Sequence, residues 1–228
     1  MILSPADWSA VRVSVLVSLA AVAVSLPVGV ALGWALARGR FRGKTLLEAL
    51  VFLPLVLPPV VTGYLLLLLL GRRGWIGRLL FEHWGVEIAF TWKGMAVAAG
   101  VVGLPLLVHS CRLSLEAVDR RLEEAARTLG YSALATFGRV TLPLAWPGVA
   151  AGALLTFARA LGEFGATVML APNVDGTRTI ALEVFHRFSI PGTEQWDIAR
   201  LAVVSAVLSF VSLVVTDLLA RRLRGRRP

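Results

Sequence analysis

At 228 residues, 57% of them hydrophobic and 16% charged, with a mean hydropathy of +0.77, the chain is too apolar for an ordinary soluble domain. The formal net charge of +9 is spread over a sequence with no room for a second, soluble domain, and the lone Cys111 excludes an internal disulfide or a Cys-x-x-Cys metal site. The expectation is a single all-α domain over residues 1–228, a polytopic transmembrane helical bundle. Its long uncharged runs are each about 20 residues, enough to cross ~30 Å of hydrocarbon at 1.5 Å per residue.

Neither a basic leader nor a small-residue cleavage site precedes the first apolar run, so a removable signal peptide is not expected. That run predicts a tilted span over about Val11 to Ala37, with Pro27 inside it and a Gly29-x3-Gly33 spacing that admits close helix contact. The basic stretch Arg38 to Lys44 follows. Its Gly39-x3-Gly43-Lys-Thr is one residue short of a phosphate-binding loop and has no strand before it, so it reads as membrane-surface charge.

A second span, about Leu46 to Leu70, carries Pro54, Pro58 and Pro59. Prolines remove backbone donors and clash with preceding carbonyls, so this helix must bend or break inside the bilayer. Broken helices are tolerated there only when buried in protein or lining a cavity. Pro54, Pro58, Pro59 and Thr62 are therefore candidates for the wall of a transport path, with a kink absorbed by packing as the alternative. An external segment with Trp75, Trp84 and Trp92 has the pattern of an interfacial aromatic belt. A third span follows over about Gly94 to Cys111, with His109 at its inner end as a packing residue, since no second ligand stands at metal spacing.

Residues 113–143 then form a polar loop between spans. Asp119 is a candidate N-cap, Val118, Leu122, Ala125, Ala126 and Leu129 recur at helical spacing, and Gly130 sits where helices commonly stop. Arg120, Arg121, Glu123, Glu124 and Arg127 make the other face, so a short amphipathic helix on the cytoplasmic surface is predicted. Two adjacent alanines let such a helix sink into a partner's groove; packing on its own bundle is the alternative, and periodicity does not separate the two. The segment Glu124-Ala-Ala-Arg-Thr-Leu-Gly130, nine residues, then Val140-x-Leu142-Pro143 resembles the cytoplasmic loop of ABC importer permeases, with Val140 where members often have Ile. That resemblance implies the type I importer permease fold, and a loop that fits a cleft of an ATPase subunit through Glu123, Glu124, Ala125, Ala126, Arg127, Leu129, Gly130, Leu142 and Pro143.

A fourth span is predicted from near Pro147 through Gly148-x3-Gly152 to Ala171, with Arg159 and Glu163 within it on one helical face. An ionised side chain at the bilayer centre costs about 2.5–3.5 kcal/mol on insertion scales, so neither should face lipid. They read either as a self-neutralising pair or, for Arg159, as positive potential offered to a passing anion. Residues 172–199 are polar and external, with Leu182, Phe185 and Phe188 suggesting a short interfacial helix. A fifth span, about Leu201 to Leu219, ends in an arginine-rich membrane anchor, so a nucleic-acid partner is not needed.

With the N-terminus outside and the C-terminus cytoplasmic, the inner segments hold Arg38, Arg40, Arg42, Lys44, Arg112, Arg120, Arg121, Arg127, Arg139, Arg221, Arg222, Arg224, Arg226 and Arg227. The outer ones hold Arg12, Arg72, Arg73, Arg78, Lys93, Arg178, Arg187 and Arg200. Fourteen against eight favours this orientation and puts the Glu-Ala-Ala segment inside. No Walker A motif, nucleophilic triad, paired carboxylates or metal cluster is apparent, so no enzymatic site is expected in the pore. An ion-coupled secondary transporter is the rival, but Glu163 and Asp217 are its only candidate carboxylates and no internal repeat supports it.

The runs Leu53-Pro-Leu-Val-Leu-Pro-Pro-Val-Val-Thr-Gly63, Gly71-Arg-Arg-Gly-Trp-Ile-Gly77 and Ala158-Arg-Ala-Leu-Gly-Glu-Phe-Gly-Ala166 resemble the molybdate permease family over nearly the whole chain, the last being similar to sulfate permeases as well. The resemblance implies an oxyanion importer for molybdate or tungstate, with sulfate or thiosulfate as the alternative. It implies a permease homodimer in the inner membrane, two ABC ATPase subunits that bind the ATP and Mg, no cofactor on this chain, and an extracytoplasmic oxyanion-binding protein. Pro54, Pro58, Pro59, Thr62, Arg159, Glu163 and Gly165 are the expected pathway or gate residues.

Overall fold

The computed structural model describes residues 3–224, with side chains described through Leu218. The basic anchor expected at the C-terminus therefore falls outside the described side chains, and Arg226 and Arg227 fall outside the described residues altogether. Among the described residues the chain is helical without a strand. In order it forms α1 (Pro5–Arg38), α2 (Lys44–Val56), α3 (Pro59–Leu70), α4 (Trp75–Trp84), α5 (Trp92–Glu116), α6 (Arg120–Thr128) and α7 (Ala133–Thr136). A π-helical turn (Phe137–Thr141), α8 (Leu142–Leu161), α9 (Ile180–Phe188) and α10 (Gln195–Arg224) complete it.

The bundle is built around α5. Two thirds of its apolar stretch is buried, against 28% for α1 and 6% for α10. Small side chains make that possible, and both predicted Gly-x3-Gly spacings are spent on it. A Cβ on Gly29 would come within 2.5 Å of the Leu107 side chain, and one on Gly33 within 2.7 Å of Cys111, so α1 lies directly on α5. From the other side, Gly148 and Gly152 of α8 press against Ser114 and Ser110, whose hydroxyls donate to the carbonyls of Ala145 and Gly148 at 2.8 Å each. In a bundle without water, close van der Waals contact and a few interhelical hydrogen bonds supply the attraction that hydrophobicity supplies elsewhere. Cys111 is fully buried in this seam, the small packing residue expected.

The second span is broken, as its prolines require, with the helices on either side of Leu57 and Pro58 bent by 115°. The two halves still travel from one end of the bundle to the other. Val51 packs with Leu36 and Val108, and Glu48 binds Arg112 at 2.5 Å, all towards the C-terminal ends of α1 and α5. Leu70 packs with Ala89, Ala98 and Leu170, near the opposite end of α5. Counted as one sharply bent span, the pair brings the candidate spans among the described residues from four to five.

The fourth span differs from expectation at both ends. Helical structure begins well before Pro147, at Ala133, and passes through the π turn into α8 at Leu142, with Pro143 next in the chain. It stops at Leu161 rather than Ala171, and residues 162–171 are turns. At the end of the bundle where α1 begins, Asp7 is fully buried in the first turn of α1, where Ser4 and Asp7 form a reciprocal capping box. Arg187 of α9 and Arg200 of α10 converge on its two oxygens at 2.8 Å each, and Arg187 also binds Glu183 at 2.9 Å. Burial lowers the pKa of Arg187, but hydrogen bonds to Glu183 and Asp7 outweigh it and leave the guanidinium above the ordinary arginine value. Arg187→Ala leaves Asp7 and Glu183 partly unpaired and is expected to cost roughly 3 kcal/mol, the low end for a broken buried pair because Arg200 stays on Asp7. Thermal unfolding of the purified chain in detergent checks this through a lowered Tm.

Candidate functional site: a loop helix and a pair of helix breaks

The predicted loop helix is present as α6. Asp119 caps it by accepting a hydrogen bond from the Arg121 N–H at 2.9 Å, and Gly130 ends it at φ +91, a left-handed turn that favours glycine. Tyr131 N–H reaches back to the Ala126 carbonyl at 3.2 Å to close that turn. The helix is turned so that Glu123 and Ala126 face the bundle, while its other polar side chains are exposed. Arg120, Glu123, Glu124 and Arg127 line a cleft of about 240 Å³ with Trp34, Arg38, Thr136 and Thr141. Ala126 is the one buried residue of α6, whereas Leu122, Ala125 and Leu129 are exposed, Leu129 to 80%. Of the apolar series read from the sequence, only Val118 and Ala126 therefore pack inward; the rest forms an outward stripe, continued by the exposed Leu134.

Within that cleft Glu123 and Glu124 part company. Glu123 accepts from Arg38 Nη2 at 3.1 Å, from Arg38 Nε at 3.3 Å and from the Thr141 hydroxyl at 2.9 Å; Arg38 also donates to the Val118 carbonyl at 2.8 Å. Glu124 is exposed and makes no ion pair within the chain among the described residues. Leu142 and Pro143 start α8 beyond the π turn, away from the α6 stripe in sequence, with Pro143 exposed.

The second assembly is at the helix breaks. Gly165, in the turn after α8, lies so close to the α2–α3 break that a Cβ on it would meet Pro59 Cβ at 2.7 Å; one on Gly63 would meet the Ala166 carbonyl oxygen at 2.5 Å. Glu163 is 2% exposed and uses both oxygens: Oε1 accepts the Ala166 N–H at 2.9 Å, and Oε2 binds Arg159 Nη1 at 2.6 Å. The expected pair thus exists, though Arg159 is in the last turn of α8 and Glu163 just past its end, not on one continuous helix. Arg159 keeps 35% of its side chain exposed. Thr62 is buried, and its hydroxyl has no hydrogen-bond partner among the described residues. Pro58, Pro59, Gly165, Glu163 and Arg159 are thus joined through contacts in one region, Thr62 lies in the first turn of α3 beside them, and Pro54 sits one turn before the break, inside α2. Sequence reasoning missed Arg38 and Thr141 as partners of Glu123, and Asp7 as the anchor of the end where α1 begins. The Ser4-x-x-Asp7 spacing was an unread signal for the cap, and nothing local marked Arg187 and Arg200.

A family profile described as "Binding-protein-dependent transport system inner membrane component" matches residues 26–225. The chain is 48% identical over 227 residues, 99% of each chain, to the "Molybdenum transport system permease protein ModB" of Escherichia coli (strain K12). It is 37% identical over 214 residues, 94% of this chain and 77% of the other, to the "Sulfate transport system permease protein CysW" of Synechocystis sp.. Among solved structures it is similar to a chain of a bacterial ABC transporter involved in import of the acidic polysaccharide alginate, at TM-score 0.72 and 17% identity, covering 96% of this chain and 80% of that one. At that identity the likeness speaks for the fold, a type I importer permease bundle.

The Arg159–Glu163 pair gives an ordering that burial alone would reverse. Arg159→Met strands a buried carboxylate and should cost about 3 kcal/mol or more, whereas Glu163→Gln keeps an acceptor for Ala166 and leaves a guanidinium that water can reach. Thermal unfolding of the two variants in detergent checks it: Arg159→Met is expected to melt lower, and the double variant to recover part of the loss.

Proposed function

The chain belongs to the family of binding-protein-dependent transport system inner membrane components, and from that premise we propose that it is the pore-forming subunit of an ATP-driven importer for molybdate. The observation that supports the coupling part of this reading is the way α6 is turned, with its apolar stripe of Leu122, Ala125 and Leu129 outward and Glu123 held inward by Arg38. An isolated amphipathic loop helix would bury the stripe; this one keeps it for another surface. Glu124, exposed and unpaired beside it, is free to meet a cation there. In this reading two cytoplasmic ATPase subunits receive the α6 helices of a permease homodimer and bind the ATP and Mg, and this chain carries no cofactor. An extracytoplasmic protein delivers the oxyanion to the outer face.

Orientation follows the same logic. The basic residues around α6 and between α1 and α2 outnumber those outside, which supports a cytoplasmic loop and an external N-terminus in the cell membrane. The exposed apolar faces of α3 and α10, with Val61, Leu65, Val207, Phe210 and Val211 among them, suit lipid and a second copy. Full-length identity to a molybdenum permease supports molybdate over sulfate, whose permease is similar at lower identity. Tungstate, of the same shape and charge, shares the path.

At the breaks, alternating access needs a region that has two arrangements, and two interrupted helices packed on one another supply one. Differential binding of ATP and of the loaded binding protein to those arrangements drives the change. Arg159, a third exposed at this depth, offers positive potential to an anion in transit.

The test is reconstitution of the chain with its ATPase and binding protein in vesicles. Labelled molybdate should be taken up only with ATP, tungstate should compete, and a large excess of sulfate should compete poorly; effective competition by sulfate at equal concentration would move the substrate reading. Glu124→Lys should abolish uptake while the chain still inserts in the membrane, and undiminished uptake would remove Glu124 from the coupling contact.

A further inference from the structure

We infer that Glu123 is the residue through which displacement of α6 is passed to the rest of the bundle: a positioning residue that ties the loop helix to α1 and α8 at once, separate from the surface that meets the ATPase. The inference rests on the coupling role proposed for α6 and assigns the route by which its motion travels.

A helix moves its bundle through whatever holds it, and α6 buries only Ala126. Its apolar stripe is exposed, so packing on the bundle is a weak handle. What grips it instead is polar. Glu123 and Arg38 are 3.1 Å apart, with only 15% and 13% of their side chains exposed, well withdrawn from water. The same carboxylate oxygen accepts the Thr141 hydroxyl at 2.9 Å. Arg38 is the last residue of α1, and its guanidinium also holds the Val118 carbonyl at the entrance to α6. Val118 in turn packs with Ala37, Leu115 and Ala145, from α1, α5 and α8.

Thr141 is unusual in its use of its hydroxyl. Threonine in a helix commonly donates to the carbonyl one turn back. Thr141 sits instead in the π turn that leads into α8, where Leu142 N–H bonds the Phe137 carbonyl five residues behind, and its hydroxyl is turned to Glu123. A π turn inside a helix is a common mark of function. From there α8 runs unbroken for 20 residues, about 30 Å at 1.5 Å per residue, to the turn holding Glu163 and Gly165. One carboxylate therefore links α6 to the helix that ends at the breaks, and to α1, which lies along α5.

The test uses the assembled complex of permease, ATPase and binding protein in vesicles, measuring ATP hydrolysis, uptake and the ratio of the two. Glu123→Gln keeps size and an acceptor but loses the charge. The ATPase subunit is expected to remain bound and to hydrolyse ATP, while substrate moved per ATP falls roughly tenfold, within the usual span of coupling between sites. Thr141→Val and Arg38→Gln should lower the same ratio, and combining either with Glu123→Gln should add little, because all three break one tie. Unchanged ratios overturn the inference, as do effects that simply add. Loss of the ATPase subunit from Glu123→Gln also overturns it, by making Glu123 a docking contact. Should Glu123→Gln fail to accumulate in the membrane, Thr141→Val, which changes one hydroxyl, decides between the same outcomes. Failure of the unmodified chain to bring down any ATPase subunit would instead sink the importer reading itself.

Discussion

Two helices stop in the middle of this bundle, and each stop depends on the other. Hydrocarbon offers no partner to a freed N–H or C=O, so an interrupted backbone survives at membrane depth only against protein or a wet cavity. Here the break at Leu57 and Pro58 is covered by the turn after α8, with Gly165 against Pro59 and Gly63 against Ala166. Glu163 secures that turn by capturing the Ala166 N–H, and Arg159 balances its charge. Remove the glycines and the two breaks no longer fit; remove the carboxylate and the turn loses its internal bond.

The remainder of the bundle holds this contact in place. α5 is a rail of small residues onto which α1 and α8 are laid by their Gly-x3-Gly faces, with serine hydroxyls bridging to α8. The end where α1 begins is closed by Asp7 under two arginines. The opposite end is different in kind: α6 is held by a partly buried carboxylate and shows its apolar stripe to the outside. A bundle that is tightly packed along its axis, interrupted at its centre and gripped at one polar point is arranged to be moved from that point. On the proposed reading, the ATPase does the moving and this chain supplies the lever and the gate.

Much of this could be read from residues in order. Apolar length alone marks five spans, the prolines at 54, 58 and 59 mark the break, and Asp119 with Gly130 bracket α6. Both Gly-x3-Gly spacings proved to be contact faces. What escaped is what tertiary packing decides. The apolar run continues through Val168 to Ala171, so hydropathy carries a helix past Leu161, whereas the chain turns there because Glu163 finds Ala166 and Gly165 finds Pro59. Pro147 suggested a late start, yet α8 accommodates it after a π turn that no local pattern announces. Periodicity identified the two sides of α6 but not which one faces the bundle, since that depends on Arg38, 85 residues earlier in the chain than Glu123.

Where the outward stripe of α6 points, and what covers it, is the centre of the account. The chain's one native cysteine, Cys111, is fully buried and gives a silent background for labelling. A cysteine introduced as Leu129→Cys, probed with a membrane-impermeant maleimide, reports both answers at once. The account predicts labelling in inside-out vesicles, none in right-side-out vesicles, and protection when the ATPase subunit is bound. Labelling from the external side, or labelling that the bound ATPase leaves unchanged, would contradict it.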